Sequence, residues 1–167
     1  MLLAISFQYI MVSSTSKLTV EEFFELPESD RNYELIDGRA IPKVSPKFFH
    51  SAVQAALIIL LQNWCQNKGR VYPEWAIRLE RNGADWVPIP DVSYTSYNRL
   101  SVDWILDEAC PVAPELAIEI ISPGQTFGDL TQKATDYLQA GVAIVWLIDT
   151  KANLRVLIPT SLCLIKD

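Results

Sequence analysis

The stretch PELAIEIISPG, residues 114–124, has the composition of a buried β-strand, yet two acidic residues interrupt it. Strand alternation puts Glu115, Ala117, Glu119 and Ile121 on one face, and Leu116, Ile118 and Ile120 on the other. Glu115 stands at the strand entrance, whereas Glu119 lies among isoleucines, where an ionised carboxylate needs a partner. Glu119 therefore indicates either a structural salt bridge or a catalytic or metal-binding role.

The remaining chain predicts an α/β protein around this strand. We predict helices at about 20–26, 47–67 and 126–140, and a hairpin of two short strands turning at Asp37-Gly38. Further strands are predicted at about 71–80, 86–95, 142–149 and 154–159, and residues 101–108 are a short helix or an irregular segment. This order predicts a mixed β-sheet core flanked by helices, with an N-terminal helix and β-hairpin. Residues 18–167 would form a single domain, preceded by a disordered or loosely packed arm at 1–17.

The residue spacing in two of the predicted helices indicates which side of each helix faces the core. The helix at 47–67 is expected to turn inward with its apolar residues Val53, Leu57, Leu60, Leu61 and Trp64. The helix at 126–140 is expected to turn inward with Leu130, Ala134, Tyr137 and Gly141, and to expose Asp129, Asp136 and Gln139. Lys133 falls at the margin of that inward stripe, so its stem can pack while its ammonium reaches the strand ends.

The net charge of −6 excludes a protein whose whole surface is positively charged for binding nucleic acid. The three cysteines are widely spaced and form no CxxC pair, which is typical of a reducing cytoplasm. The apolar first dozen residues lack the basic start and cleavage site of a signal peptide and the length of a membrane span. We therefore expect a cytoplasmic protein without a membrane partner.

A second acid pairs with Glu119 in this plan. Asp91 follows Pro90 at the entrance of a strand, and the two acids lie on successive long strands, which are neighbours in the commonest topology. Two close carboxylates repel one another, and a divalent cation with oxygen ligands relieves that cost. Asp91 and Glu119 are thus candidate ligands for Mg²⁺ or Mn²⁺, although a Pro-Asp pair is also ordinary turn chemistry.

These residues together resemble a known family. Pro90-Asp91, EIISP at 119–123, K-x-x-x-Y-x-x-x-G-V at 133–142 followed by VWLID, and YELIDG at 33–38 are similar to a bacterial family of restriction-endonuclease-like proteins in the PD-(D/E)XK nuclease superfamily. The resemblance runs from about Leu18 to about Pro159. In the superfamily motif the lysine comes two residues after the glutamate, where this chain has Ile121, and the resemblance points to Lys133 as its replacement.

The resemblance implies a restriction-endonuclease-like fold and a metal-dependent endonuclease that hydrolyses phosphodiester bonds of DNA. Asp91 and Glu119 would bind the metal, Lys133 would assist the attacking water, and Glu34 or His50 would add a ligand or steer the phosphate. Gln54, one turn after His50, is a weaker candidate. The alternative is an interaction module that keeps the nuclease scaffold with weak or no catalysis, which the displaced lysine and the acidic balance favour.

Charge also predicts the assembly. The basic residues are dispersed, with Lys43 and Lys47 flanking the SP turn and Arg78 and Arg81 bracketing the first turn between strands. Duplex affinity comes mostly from neutralised phosphates, so a single copy has little surface to hold DNA. A homodimer would pool these patches and place two sites on the two strands of a duplex. We therefore expect a homodimer.

Overall fold

The computed structural model describes residues 17–27, 32–122 and 124–150, together with the backbone of residues 154–157. The elements in chain order are α1 (Val20–Phe24), β1 (Tyr33–Ile36), β2 (Arg39–Pro42), α2 (Phe48–Cys65), β3 (Gly69–Pro73), β4 (Leu79–Arg81), β5 (Ala84–Trp86), β6 (Val92–Ser96), β7 (Leu116–Ile120), α3 (Phe127–Gln139), β8 (Ile144–Ile148) and β9 (Leu154–Leu157). The arm at 1–17 lies outside the described residues except for Lys17, as do Cys163 and the end of the chain.

The centre of the protein is a five-stranded sheet in the order β3-β6-β7-β8-β9. Strands β7 and β8 are parallel and α3 connects them, while the other neighbouring pairs are antiparallel. This is the mixed α/β sheet with flanking helices that the sequence predicts. The parallel pair requires a crossover, and a helix on one face of the sheet is its usual form.

The two faces of β7 separate as the alternation predicts. Leu116, Ile118 and Ile120 join a core cluster that contains Leu61 and Cys65 of α2. Ala117 lies on the opposite face, in a cluster with the α3 residues Leu130, Ala134 and Tyr137. Each face of β7 is therefore covered by one helix, and Glu119 shares the face of Ala117.

The N-terminal helix and hairpin are also as predicted. Thr19 caps α1, and its side chain accepts from the Glu22 backbone while the Glu22 carboxylate accepts from the Thr19 amide. Asp37 and Gly38 have φ values of 52° and 77°, the left-handed conformation that a two-residue hairpin turn requires. This hairpin delivers Glu34 to the region next to the central sheet.

The two long strands predicted at 71–80 and 86–95 are each split in the structure. The first breaks after Pro73 at Glu74, which has a φ of 48°, and the second breaks around Pro88 and Pro90. Proline removes a backbone donor, so the chain cannot continue the hydrogen-bond ladder there. Strands β4 and β5 consequently form a separate hairpin, and only β3 and β6 reach the central sheet.

Two predicted helix faces need correction. Leu60 and Trp64 are 60% and 59% exposed, because the inward side of α2 runs through His50, Leu61 and Cys65 instead. Asp136 was expected to face solvent but is buried, since its carboxylate lies 2.8 Å from Nε of Arg81. The Asp136 error arises from a contact between distant segments, and the α2 error arises because the helix has apolar residues on all sides.

Residues 101–108 contain no helix, which is one of the two predicted possibilities. The guanidinium of Arg70 holds this irregular segment by donating to the carbonyl oxygens of Leu100, Ser101, Val102 and Trp104.

Candidate active site

The pairing of β6 with β7 places the two predicted acids together. Val92 pairs with Ile118, so continuing this antiparallel register by one residue puts Asp91 opposite Glu119. Residues that oppose one another in an antiparallel pair project to the same face. Asp91 and Glu119 are 3% and 4% exposed, so both carboxyl groups are buried.

Asp91 is held by three donors. Its Oδ1 lies 3.0 Å from Nζ of Lys43, and its Oδ2 lies 3.1 Å from Nε2 of His50. The backbone amide of Ile120 donates to Oδ2 at 2.7 Å. Burial alone would raise the pKa of Asp91, but the hydrogen bond from His50 and the charge of Lys43 outweigh it and lower the pKa to about 2. Asp91 is therefore an anion at neutral pH.

Helix α2 supports Asp91 from one side. Its His50 contacts the carboxylate, and its Gln54 donates to the Asp91 carbonyl oxygen at 2.8 Å. The other ring nitrogen of His50, Nδ1, is buried and has no hydrogen-bond partner among the described residues. His50 and Gln54 therefore position Asp91 from one helix face, one turn apart.

Lys133 lies between two carboxylates. Its Nζ is 2.8 Å from Oε1 of Glu34 and 2.8 Å from Oε1 of Glu119. Burial would lower the pKa of Lys133, but the charges of Glu119 and Glu34 raise it above its ordinary value. The ammonium of Lys133 therefore remains protonated between the two carboxylates at neutral pH.

Glu119 has the opposite electrostatic balance. Burial raises its pKa most, and the negative charges of Asp91 and Glu34 add to this rise while Lys133 opposes it. Tyr137, one turn after Lys133 on α3, donates its hydroxyl to Glu119 Oε1 at 2.8 Å. Burial and the charge of Glu119 raise the pKa of Tyr137 well above its usual value, so the phenol keeps its proton.

Glu34 is fixed by the hairpin and by the loop before β6. Its Oε1 accepts from the Ile89 amide at 2.9 Å in addition to its contact with Lys133. The Ile89 carbonyl oxygen in turn accepts from Nζ of Lys43 at 2.8 Å. The loop that contains Pro88 and Pro90 thus uses the amide and the carbonyl of Ile89 to hold Glu34 and Lys43.

All five predicted site residues line one cavity of about 290 Å³, which also contains Lys43. Glu34, Asp91 and Glu119 supply three carboxylates, and Lys43 and Lys133 supply two ammonium groups. The sequence interpretation missed two contributors. From the sequence, Lys43 is only a basic residue beside a turn and Tyr137 is a core residue, although the spacing of four residues between Tyr137 and Lys133 indicates a shared direction.

The donor set fits a magnesium or manganese ion better than zinc. No three His, Cys, Asp or Glu side chains in the described parts of the chain are arranged to hold a metal. Mg²⁺ is commonly held by one or two carboxylates, with water and phosphate oxygens completing its shell. Both described contacts of the Glu119 carboxylate involve Oε1, which leaves Oε2 as the oxygen to offer a cation.

Comparisons with known proteins identify a family and a related structure. A family model described as "Uma2: Putative restriction endonuclease" matches residues 20–157. A crystal structure described as "a putative nuclease belonging to DUF820", from Anabaena variabilis, is 26% identical in sequence and superposes with a TM-score of 0.69, covering 85% of each chain. No curated protein matches the sequence. The matched region contains every residue of the candidate site.

Proposed function

Because the chain belongs to the Uma2 family of restriction-endonuclease-like proteins, we propose that it is a metal-dependent endonuclease that hydrolyses phosphodiester bonds of DNA. The observation that carries this proposal is the buried cluster in which Asp91 opposes Glu119 and Lys133 contacts Glu119. Three carboxylates buried together in one cavity are costly even when paired with lysines, and clusters of this kind are typical of functional sites.

Asp91 and Glu119 would hold Mg²⁺ or Mn²⁺. When bound, such an ion polarises a phosphoryl oxygen and lowers the pKa of a water molecule. Asp91 suits the role because its low pKa keeps it anionic, and His50 and Ile120 fix its orientation. Glu119 suits it because Tyr137 and Lys133 fix its carboxylate from one side.

Lys133 would orient the attacking water and offset negative charge that develops on the phosphate. Glu34 would help by holding the ammonium in place at 2.8 Å. Lys43 is another cationic residue of the cavity and contacts Asp91 without belonging to the family motif. It would steer a phosphate group toward the two acids.

The assembly and location that suit this activity are a homodimer in the cytoplasm. Two copies would present two sites to the two strands of a duplex and would pool the dispersed basic residues. Cys65 and Cys110 are free and buried, which agrees with a reducing compartment.

A second candidate function is a non-catalytic interaction module on the same scaffold. The observation in its favour is that Asp91 and Glu119 are both paired with lysines of the protein. Internal pairing of this kind also suits a purely structural salt-bridge network.

The two functions are distinguished by incubating the purified full chain with supercoiled plasmid in Mg²⁺, Mn²⁺ or EDTA. We expect metal-dependent nicking or linearisation that falls by about 10³-fold or more in Asp91→Asn and in Glu119→Gln. Asp103→Asn, an exposed acid outside the cavity, is the matched control and should retain activity. Absence of cleavage by the wild type would favour the interaction module, and cleavage that survives both variants would place the activity elsewhere.

A further inference from the structure

The side of α2 that faces away from the sheet is an exposed apolar surface. Its large side chains are Phe48, Phe49, Ile59 and Leu60, which are 78%, 70%, 62% and 60% exposed. Trp64, 59% exposed, lies at the margin of this surface, with its ring 5.2 Å from that of Tyr94 on β6. The exposed residues Ala52, Ala55 and Ala56 and one polar side chain, Asn63, lie between these side chains. The 18-residue helix contains no Asp, Glu, Lys or Arg, so no charge interrupts this surface.

The opposite side of α2 fixes the orientation of this surface. Leu61 and Cys65 are buried in the core cluster of β7, and His50 and Gln54 hydrogen-bond Asp91. The helix cannot rotate to bury its outer residues without breaking these contacts. The exposed face is therefore a fixed property of the folded protomer.

The size of this surface suits a protein interface. Side chains of these types and exposures present on the order of 700 Å² of apolar area, where single-chain proteins rarely expose a patch above about 600 Å². A stable dimer buries about 800 Å² per partner. If the outer face of α2 packs against the same face of a second copy, this face and the residues around it supply the area that a stable dimer buries.

Charge favours a second copy as the occupant. Two protomers of net charge −6 repel one another, and the repulsion is weakest where the meeting surfaces carry no charge. An uncharged helix can pack against its two-fold mate without bringing like charges together. Such an isologous interface uses the same patch on both subunits.

We propose that the chain forms a homodimer through the outer faces of α2, with Ile59 and Leu60 at its centre and Trp64 at its margin. This assignment rests on the homodimer of the proposed function and gives it an interface. The same helix carries His50 and Gln54 on its inner side, so the dimer contact would hold in place the helix that positions Asp91.

A lipid bilayer is the competing occupant. Among the described helices, α2 alone is long and apolar enough to cross a membrane by length and composition, with a mean hydropathy of 1.3. A spanning arrangement would remove His50 and Gln54 from Asp91 and expose the apolar face of β7. The structure therefore favours protein over lipid on this face.

Sedimentation velocity of the full chain at micromolar concentration tests the proposal. We expect a wild-type dimer, and a dissociation constant raised on the order of 100-fold by Leu60→Lys or Ile59→Lys. Lysine is chosen because it lowers the net negative charge, so that general repulsion cannot explain a lost dimer. Ile105→Lys, at a residue 87% exposed outside α2, is the matched control and should leave the dimer intact.

Circular dichroism and urea midpoints would verify that the variants fold. A wild-type monomer, an unaffected dimer in Leu60→Lys and Ile59→Lys, or vesicle binding that Leu60→Lys abolishes would each overturn the α2 interface. Plasmid cleavage separates this result from the proposed activity. A monomer that cleaves DNA overturns only the interface, and a dimer that does not cleave overturns only the nuclease.

Discussion

Lys133 on α3 places its ammonium 2.8 Å from Oε1 of Glu119 on β7. In the nuclease motif that the sequence resembles, the lysine follows the glutamate by two residues, and Ile121 occupies that position here. The contact shows that a side chain from the following helix reaches the carboxylate. An ammonium group can act on the surroundings of Glu119 from any element that brings it close enough, so the lysine need not lie on the strand of Glu119.

The first prediction concerns Lys133. Lys133→Met should abolish cleavage and also lower the free energy of unfolding by roughly 3 kcal/mol, because Glu34 and Glu119 lose their shared cation. Adding Glu34→Gln should recover part of the stability but none of the activity. Urea denaturation and plasmid cleavage measure the two effects. Full activity in Lys133→Met would show that the lysine has no catalytic part.

The second prediction concerns metal binding. Mn²⁺ at about 100 times its dissociation constant should stabilise the wild type by about 2.7 kcal/mol, or roughly 5–10 °C in melting temperature. Asp91→Ala should show no such shift, whereas the exposed control Asp103→Ala should match the wild type. Equal shifts in all three proteins would mean that the ion binds elsewhere.

The third prediction concerns Lys43. Its ammonium lies 3.0 Å from Asp91 Oδ1 and repels an incoming cation. Lys43→Met should therefore bind Mn²⁺ roughly tenfold more tightly in calorimetry without DNA, while it binds a DNA duplex more weakly. Lys47→Met, an exposed lysine nearby, should leave Mn²⁺ affinity unchanged. Weaker Mn²⁺ binding in Lys43→Met would contradict this role.

The fourth prediction concerns Tyr137. Tyr137→Phe removes the hydrogen bond to Glu119 while keeping the ring, so stability should fall by only about 1 kcal/mol. Cleavage should fall more, with kcat affected rather than KM, because the carboxylate loses its fixed orientation. Tyr72→Phe, a partly exposed tyrosine, serves as the control. Unchanged kcat in Tyr137→Phe would limit the phenol to a packing role.

The fifth prediction concerns the loss of stability at low pH through protonation of Asp91. The pKa of Asp91 is lowered from 3.8 to about 2 by folding, so the unfolded chain binds the proton more readily. The resulting stabilisation, roughly 2 kcal/mol, should be present above pH 4 and lost as the pH falls toward 2.

Glu119 has a raised pKa and works in the opposite direction, since its protonation favours the folded state. The measurement is therefore made in a Glu119→Gln background, by comparing Asp91 with Asp91→Asn in urea at several pH values. A difference that stays constant between pH 5 and 2 would contradict the pKa assigned to Asp91.

Much of this site is predictable from local sequence. The face of Glu119 is predictable because strand alternation is local geometry, and Asp91 is predictable as its neighbour because successive strands commonly pair. The ion pair of Asp136 with Arg81 and the role of Lys43 depend on contacts between distant segments. The inward face of α2 was misjudged at Leu60 and Trp64 because apolar residues surround the helix, so spacing alone did not select one side.

The route of the chain through the site has a consequence for the order in which the protein folds. Glu119, Lys133 and Tyr137 belong to one continuous strand–helix unit, whereas Asp91 meets Lys43 and His50 only after long loops close. Local contacts close with less entropy loss, so we expect the half-site of β7 and α3 to form early. Substitutions in the buried core around Ala134 should then slow folding, and those around Lys43 should mainly speed unfolding. The two halves of a single charged centre would thus be assembled at different times.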